Sequence, residues 1–213
     1  FQKVVNKTMA EKDQDHHKLL IYNNPKIPDR TKAILEDGES PLPALIASAK
    51  KLEKGKADFI VMPCNTAHHY YKDLVKNIEI EIMNMIEETA KKTSEHYADI
   101  KRVGLMGTKG VIKSKIYHRP LDKFNIEIIE PSSEEMNKIM EIIYSIKSGF
   151  QDKKRQRILT EIAENLVKNG ADGLILGCTE LPLLFDKTSF NYPLFISQEI
   201  LAEKAVEKAE EVI

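Results

Sequence analysis

Ala57-Asp58-Phe59-Ile60-Val61-Met62-Pro63-Cys64-Asn65-Thr66 is echoed by Ala171-Asp172-Gly173-Leu174-Ile175-Leu176-Gly177-Cys178-Thr179-Glu180. The two copies share one gap-free register, since 171 − 57 and 178 − 64 both equal 114. In each, an apolar run ends on one of the chain's only two cysteines, followed by a polar residue. A continuous apolar run suits a strand of a parallel sheet covered on both faces. A thiol at the carboxyl end of such a strand stands where open α/β sheets bind ligands. Two such thiols from two similar halves imply one cleft with a sulfur on each wall.

Composition sets the outer limits. A chain of 213 residues is one large domain or two small ones, and 42% apolar residues supply a sizeable core. The net charge of −1 offers no general attraction to nucleic acid. Lys153-Lys154-Arg155 reads as a solvated helix face. No apolar run reaches a membrane span of roughly 18 to 20 residues, and no signal peptide is visible. Two cysteines do not make a disulfide scaffold, so the expectation is a cytoplasmic protein with reduced thiols. The chain opens at Phe1-Gln2-Lys3-Val4-Val5, without methionine, in what reads as a helix.

Strands and helices alternate along the chain. Lys18–Tyr22 reads as a buried strand, as do Asp58–Met62, Ile80–Met83, Arg102–Met106, Asn125–Ile129, Gly173–Leu176 and Pro193–Ile196. Ser40 with Pro41 opens a helix carrying Leu45, Ile46, Ala49 and Leu52. Ser132 with Glu135 resembles a capping box. This alternation predicts an α/β fold with parallel sheets. It divides into two similar three-layer domains related by a pseudo-twofold axis, with the active site between them. The first comprises 1–83 plus 197–213, and the second 84–196. The last helix is expected to pack back on the first domain.

A lone cysteine usually behaves as a small buried hydrophobe, and either thiol alone carries that reading. Their shared repeat position favours chemistry instead. A helix starting just after each thiol would lower its pKa from about 8.5, letting it act as base or acid near neutral pH.

Met62-Pro63-Cys64-Asn65-Thr66-Ala67-His68 and Gly177-Cys178-Thr179-Glu180-Leu181-Pro182 resemble the two signature motifs of the cofactor-independent aspartate/glutamate racemases. Asn24-Pro25-Lys26-Ile27-Pro28-Asp29-Arg30-Thr31 and Asn84-Met85-Ile86-Glu87-Glu88-Thr89 resemble segments of the aspartate branch. The resemblance covers essentially the whole chain. It implies that Cys64 and Cys178 lie on opposite faces of a substrate α-carbon, one thiolate removing the proton and one thiol returning it. It also implies no pyridoxal phosphate, no metal and a homodimer. Asn65, Thr66 and Thr179 become candidate donors to the α-carboxylate. Arg30 matches a carboxylate-binding position, against a plain reading as a surface salt bridge to Asp29 or Glu36. Lys147 falls near a second such cation, against a plain reading as a cation at a helix C-terminus. Together they would select an acidic amino acid. Thr108 lies in a substrate loop of the family, where Val111 replaces the usual second threonine. Glu180 either bonds the substrate ammonium or begins a loop. The family also begins with a strand and a Gly-rich loop of the site wall, and these are expected upstream of Phe1.

Cys64 and His68 stand four apart, yet no further Cys or His has zinc-site spacing around them. His16, His17, His69, His96 and His118 read as surface residues. Other readings remain: a non-catalytic binder of acidic amino acids, a maleate-isomerase-type enzyme, and a thiol–disulfide protein. The last lacks a Cys-x-x-Cys motif, and a single-cysteine arylmalonate-type decarboxylase is disfavoured by the second thiol.

Overall fold

A computed structural model of the protein describes residues 1–96, 100–188 and 190–212. Its larger sheet is parallel, with strands β3 (Arg102–Gly107), β4 (Glu127–Ile129), β5 (Gly173–Gly177) and β6 (Leu194–Ile196) in the order β4-β3-β5-β6. All five residues of β5 are buried, as a strand covered on both faces requires. Its side chains alternate between two cores. Leu174 and Leu176 meet helices α8 (Ser133–Lys147) and α9 (Lys153–Lys168) through Ile139, Ile143, Leu159 and Leu166. Ile175 meets α5 (Met85–His96), α7 (His118–Asp122) and α10 (Ser197–Val212) through Ile86, Leu121 and Ile200. The result is three layers. Ser132 and Glu135 form the expected capping box on α8, and the Asn84 carboxamide oxygen accepts from the Ile86 and Glu87 N–H groups to open α5.

The first half is a smaller version. Strands β1 (Phe59–Val61) and β2 (Glu81–Met83) pair in parallel. Ile60 and Ile82 pack on Leu45 and Ala49 of α3 (Leu42–Lys54) and Leu74 of α4 (Tyr71–Val75). The repeat is not uniform beyond the cysteine strands. Phe59 pairs with Glu81, twenty-two positions on, whereas Leu174 pairs with Leu194, twenty positions on. The connection in the second half is therefore two residues shorter.

One expected strand is absent. Residues 18–22 run without strand pairing along α3, with Lys51 Nζ 4.7 Å from the Tyr22 ring centre and Asn24 bonded to Ser48. Leu19, Leu20, Ile21 and Tyr22 are exposed. The apolar pattern was real, but a strand exists only against a neighbour that takes its N–H and C=O groups. None of the described residues supplies one.

Helix α10 joins the halves. Its Leu201 packs with Met83 and Met85 near Phe59 and Val61, while Ile200 reaches the core of the larger sheet. The last helix thus carries residues that pack toward both sheets. Helix α1 (Gln2–Lys7) is tied to it by Lys3–Glu199 and Lys7–Glu203 ion pairs. Between α2 (Arg30–Leu35) and α6 (Lys109–Ser114) the approach is so close that a side chain on Gly110 would stand 2.8 Å from a Thr66 methyl and 3.0 Å from the Thr31 hydroxyl. Only glycine fits there. Among the described residues no helix is long and apolar enough to cross a membrane.

His68 fixes the loop that carries the first cysteine. The Met85 N–H donates to His68 Nε2 at 3.2 Å, so Nε2 is the bare nitrogen. Nδ1 therefore carries the proton and donates it to the Cys64 carbonyl at 2.9 Å. Burial lowers the His68 pKa from 6.5 to about 4, against a smaller opposing effect of its backbone bonds. The ring stays neutral in the fold while the unfolded chain takes up a proton below pH 6.5. Stability is therefore complete above that pH and is lost as pH falls toward 4, by about 3 kcal/mol. Urea unfolding at pH 7 and pH 4 checks this. The parent protein should lose about 3 kcal/mol more than His68→Gln between the two, and equal losses would refute the assignment.

Candidate active site

Both cysteines stand just beyond the carboxyl ends of their strands. After β1 the chain bends sharply, the Cys64 N–H donating to the Met62 carbonyl at 2.8 Å, and then forms a 3-10 turn over Thr66–Tyr70. After β5, Cys178 precedes a short 3-10 turn over Leu181–Leu183. Both thiols are free; Cys64 is half-buried and Cys178 buried. They line one cavity of about 240 Å³. That is below the roughly 300–1,000 Å³ of clefts for drug-sized ligands and suits a molecule the size of an amino acid.

The wall between the cysteine loops is a buried polar chain. The Tyr117 hydroxyl donates to Asn65 Oδ1 at 2.6 Å, Asn65 Nδ2 donates to the Ser197 hydroxyl at 3.0 Å, and Ser197 donates to the Leu176 carbonyl at 3.0 Å. Asn65 lines the cavity and, among the described residues, has one amide hydrogen left over. Burial pushes the Tyr117 phenol well above its ordinary range, so it stays a donor. Neither Tyr117 nor Ser197 belongs to the motifs that carry the cysteines. Ser197 follows β6 at the repeat position of Asn84's neighbour, whereas nothing in the sequence marks Tyr117. Beside this chain the Thr66 and Thr108 hydroxyls bond across the halves at 2.9 Å. Thr108 also accepts from the Val111 N–H and so caps α6.

Charged groups approach from both halves. Asp29 caps α2, its carboxylate accepting from the Thr31 and Lys32 N–H groups. That leaves Arg30, whose Nη1 donates to the Ile27 and Pro28 carbonyls. Among the described residues no ion pair joins it to Asp29 or Glu36, and it lines the cavity instead. Lys147, the last residue of α8, holds its Nζ 3.9 Å from Glu180 Oε1. Glu180 Oε2 accepts from the Cys178 thiol and from the Thr179 hydroxyl, each at 3.0 Å. The cavity thus gathers Arg30, Cys64, Asn65, Thr66, Thr108 and Lys147 with Cys178, Thr179 and Glu180.

The expectation of a lowered thiol pKa fails at Cys178. Burial raises it well above the ordinary value, and the Glu180 charge and hydrogen bond raise it further. The physical reason is local: no α-helix begins at Cys178, and a 3-10 turn over Leu181–Leu183 follows it instead. The histidines divide differently than expected. His16 and His69 are exposed and His17 and His118 half-buried, while the His96 side chain lies outside those described. Among the described residues no group of three or more His, Cys, Asp or Glu side chains is arranged to hold a metal ion.

Several known proteins are similar to this chain in structure and in sequence. An aspartate racemase of Picrophilus torridus has a similar structure, with a TM-score of 0.87 at 33% identity over 98% of this chain and 87% of that one. An aspartate racemase homologue from Pyrococcus horikoshii OT3 gives a TM-score of 0.76 at 26% identity, over 98% of this chain and 93% of that one. In sequence, the broad specificity amino-acid racemase RacX of Bacillus subtilis (strain 168) is 30% identical over 197 residues, 92% of this chain and 84% of that protein. The family model described as Asp/Glu/Hydantoin racemase matches residues 1–205, and with the paired thiols and two cations in one cavity, the chain belongs to that family.

Proposed function

We propose that this protein racemises aspartate, with Cys64 and Cys178 as the two acid/base groups and no cofactor. The observation that carries the reading is that both thiols, one from each half of the repeat, line a single small cavity with Arg30 and Lys147. One thiolate takes the α-proton, leaving a planar carbanion whose charge spreads onto the α-carboxylate. The other thiol gives its proton to the opposite face, so the centre inverts. The first sulfur then holds a proton and the second a charge, and exchange with solvent resets the pair.

The barrier to removing so weakly acidic a proton is high. Fixed donors aimed at the carboxylate, in a cleft that excludes water, are the principal means of lowering it. The remaining Asn65 hydrogen and whichever of the Thr66 and Thr108 hydroxyls does not donate to the other are such donors in this reading, and the Thr179 hydroxyl becomes one by turning from Glu180 to the carboxylate. Arg30 offers a planar fork for one carboxylate and Lys147 a point charge for the other. Two cations match aspartate or glutamate, and the small cavity together with the Picrophilus aspartate racemase supports aspartate. A homodimer belongs to the same reading through the family resemblance.

Two experiments check it on the full-length protein. Aspartate incubated in heavy water should gain α-deuterium as it inverts. Cys64→Ala and Cys178→Ala should each slow inversion by about 10²- to 10⁴-fold; undiminished inversion in both would overturn the proposal. Arg30→Gln and Lys147→Gln should each lower kcat/KM for aspartate by about 10- to 100-fold, the worth of a charged hydrogen bond. Alanine, lacking the second carboxylate, should lose less with at least one of them. Uniform loss for both substrates would remove the cations from side-chain selection.

A further inference from the structure

The repeat that places the two cysteines alike breaks two residues later. Cys64 is followed at that distance by Thr66, and Cys178 by Glu180. The consequence is visible in the bonds. The Thr66 hydroxyl turns to Thr108, and among the described residues Cys64 Sγ has no hydrogen-bond partner. Cys178 Sγ, by contrast, donates to Glu180 Oε2 at 3.0 Å. Glu180 accepts on both oxygens, from Cys178 and Thr179 on one and toward the Lys147 ammonium on the other, which is the bonding of an ionised carboxylate.

Resting on the racemase reading above, we propose that Glu180 is a positioning residue that keeps the proton on Cys178, making Cys178 the acid of the resting site and Cys64 its base. A negative charge in contact with a thiol opposes formation of a second one. The S–H must also stay in place to donate, so the carboxylate orients the proton as well as retaining it. Cys178 lies in the apolar core with Leu176 and Leu181, where the thiolate has little else to solvate it. Burial and Glu180 together raise the Cys178 pKa. The other charged or titratable groups near it are Lys147 of α8, which opposes the effect weakly, and Tyr117, which stays neutral. Arg30, Asp29 and Cys64 line the same cavity. The two cysteines are then not interchangeable. After each inversion that starts from Cys64 the charge sits on the buried sulfur beside Glu180, and that form returns its charge to Cys64 through solvent before the resting site is restored.

Titration of thiolate absorbance near 240 nm tests this, with Cys64→Ser leaving Cys178 as the only thiol. Adding Glu180→Gln keeps an acceptor for the S–H and removes the charge. The Cys178 midpoint should then fall by at least about one pH unit, while Glu180→Asp, which keeps the charge, should stay nearer the parent. In the protein with both cysteines, the alkaline limb of the kcat/KM profile reports the group that must stay protonated. Glu180→Gln should move that limb to lower pH by a similar amount. Both enantiomers should show the same shift, because their equilibrium constant is one. A Cys178 midpoint unchanged by Glu180→Gln overturns the inference. Absence of α-deuterium exchange by the unaltered protein would instead overturn the racemase reading, and the titration still stands apart from it.

Discussion

The site depends on one buried chain of hydrogen bonds, from Tyr117 through Asn65 and Ser197 to the Leu176 carbonyl. Asn65 is the residue after Cys64, and Leu176 lies two before Cys178. The chain therefore sets the loop of one thiol against the strand of the other. Each member is buried and bonded, so displacing one leaves a polar group without a partner at a cost of about 1–3 kcal/mol. His68 adds a second constraint from behind, holding the Cys64 carbonyl to the start of α5. Gly110 adds a third, letting α6 close on α2 and Thr66. The proposed reaction, which moves a proton across a carbon, tolerates little drift in its two sulfurs, and these contacts limit that drift.

Symmetry positions the chemistry, and departures from symmetry specialise it. The two halves present equivalent strands ending on equivalent thiols, which is why one cavity receives both. Yet the surroundings differ in burial, in the residue two places on and in the length of the following connection. A device for inverting a centre needs its two groups in opposite protonation states at any moment. In the proposed mechanism, an asymmetric environment is what supplies that difference before substrate arrives.

Much of this was legible in the sequence because local patterns and tertiary contacts agreed. The apolar runs at 173–176 and 102–106 became strands because neighbours exist on both sides, and Ser132 with Glu135 capped a helix because the box is a local device. The run at 18–22 had the same pattern and failed, since strand formation depends on a partner the pattern cannot show. The motif residues Cys64, Asn65, Thr66, Cys178, Thr179 and Glu180 line one cavity. Tyr117 belongs to no motif, because a phenol that reaches Asn65 from 52 positions away leaves no trace in spacing. The raised pKa of Cys178 was likewise invisible. Position after a strand argued for a helix N-terminus, whereas burial and Glu180 decide the outcome.

A crystal structure of the full-length protein holding aspartate decides whether two thiols face one carbon from opposite sides. The α-carbon should lie between the sulfurs of Cys64 and Cys178, each about 3–3.5 Å away on opposite faces, with the carboxylates at Arg30 and Lys147. Aspartate bound with both sulfurs on one face, or with either sulfur out of reach of the α-carbon, would contradict that arrangement.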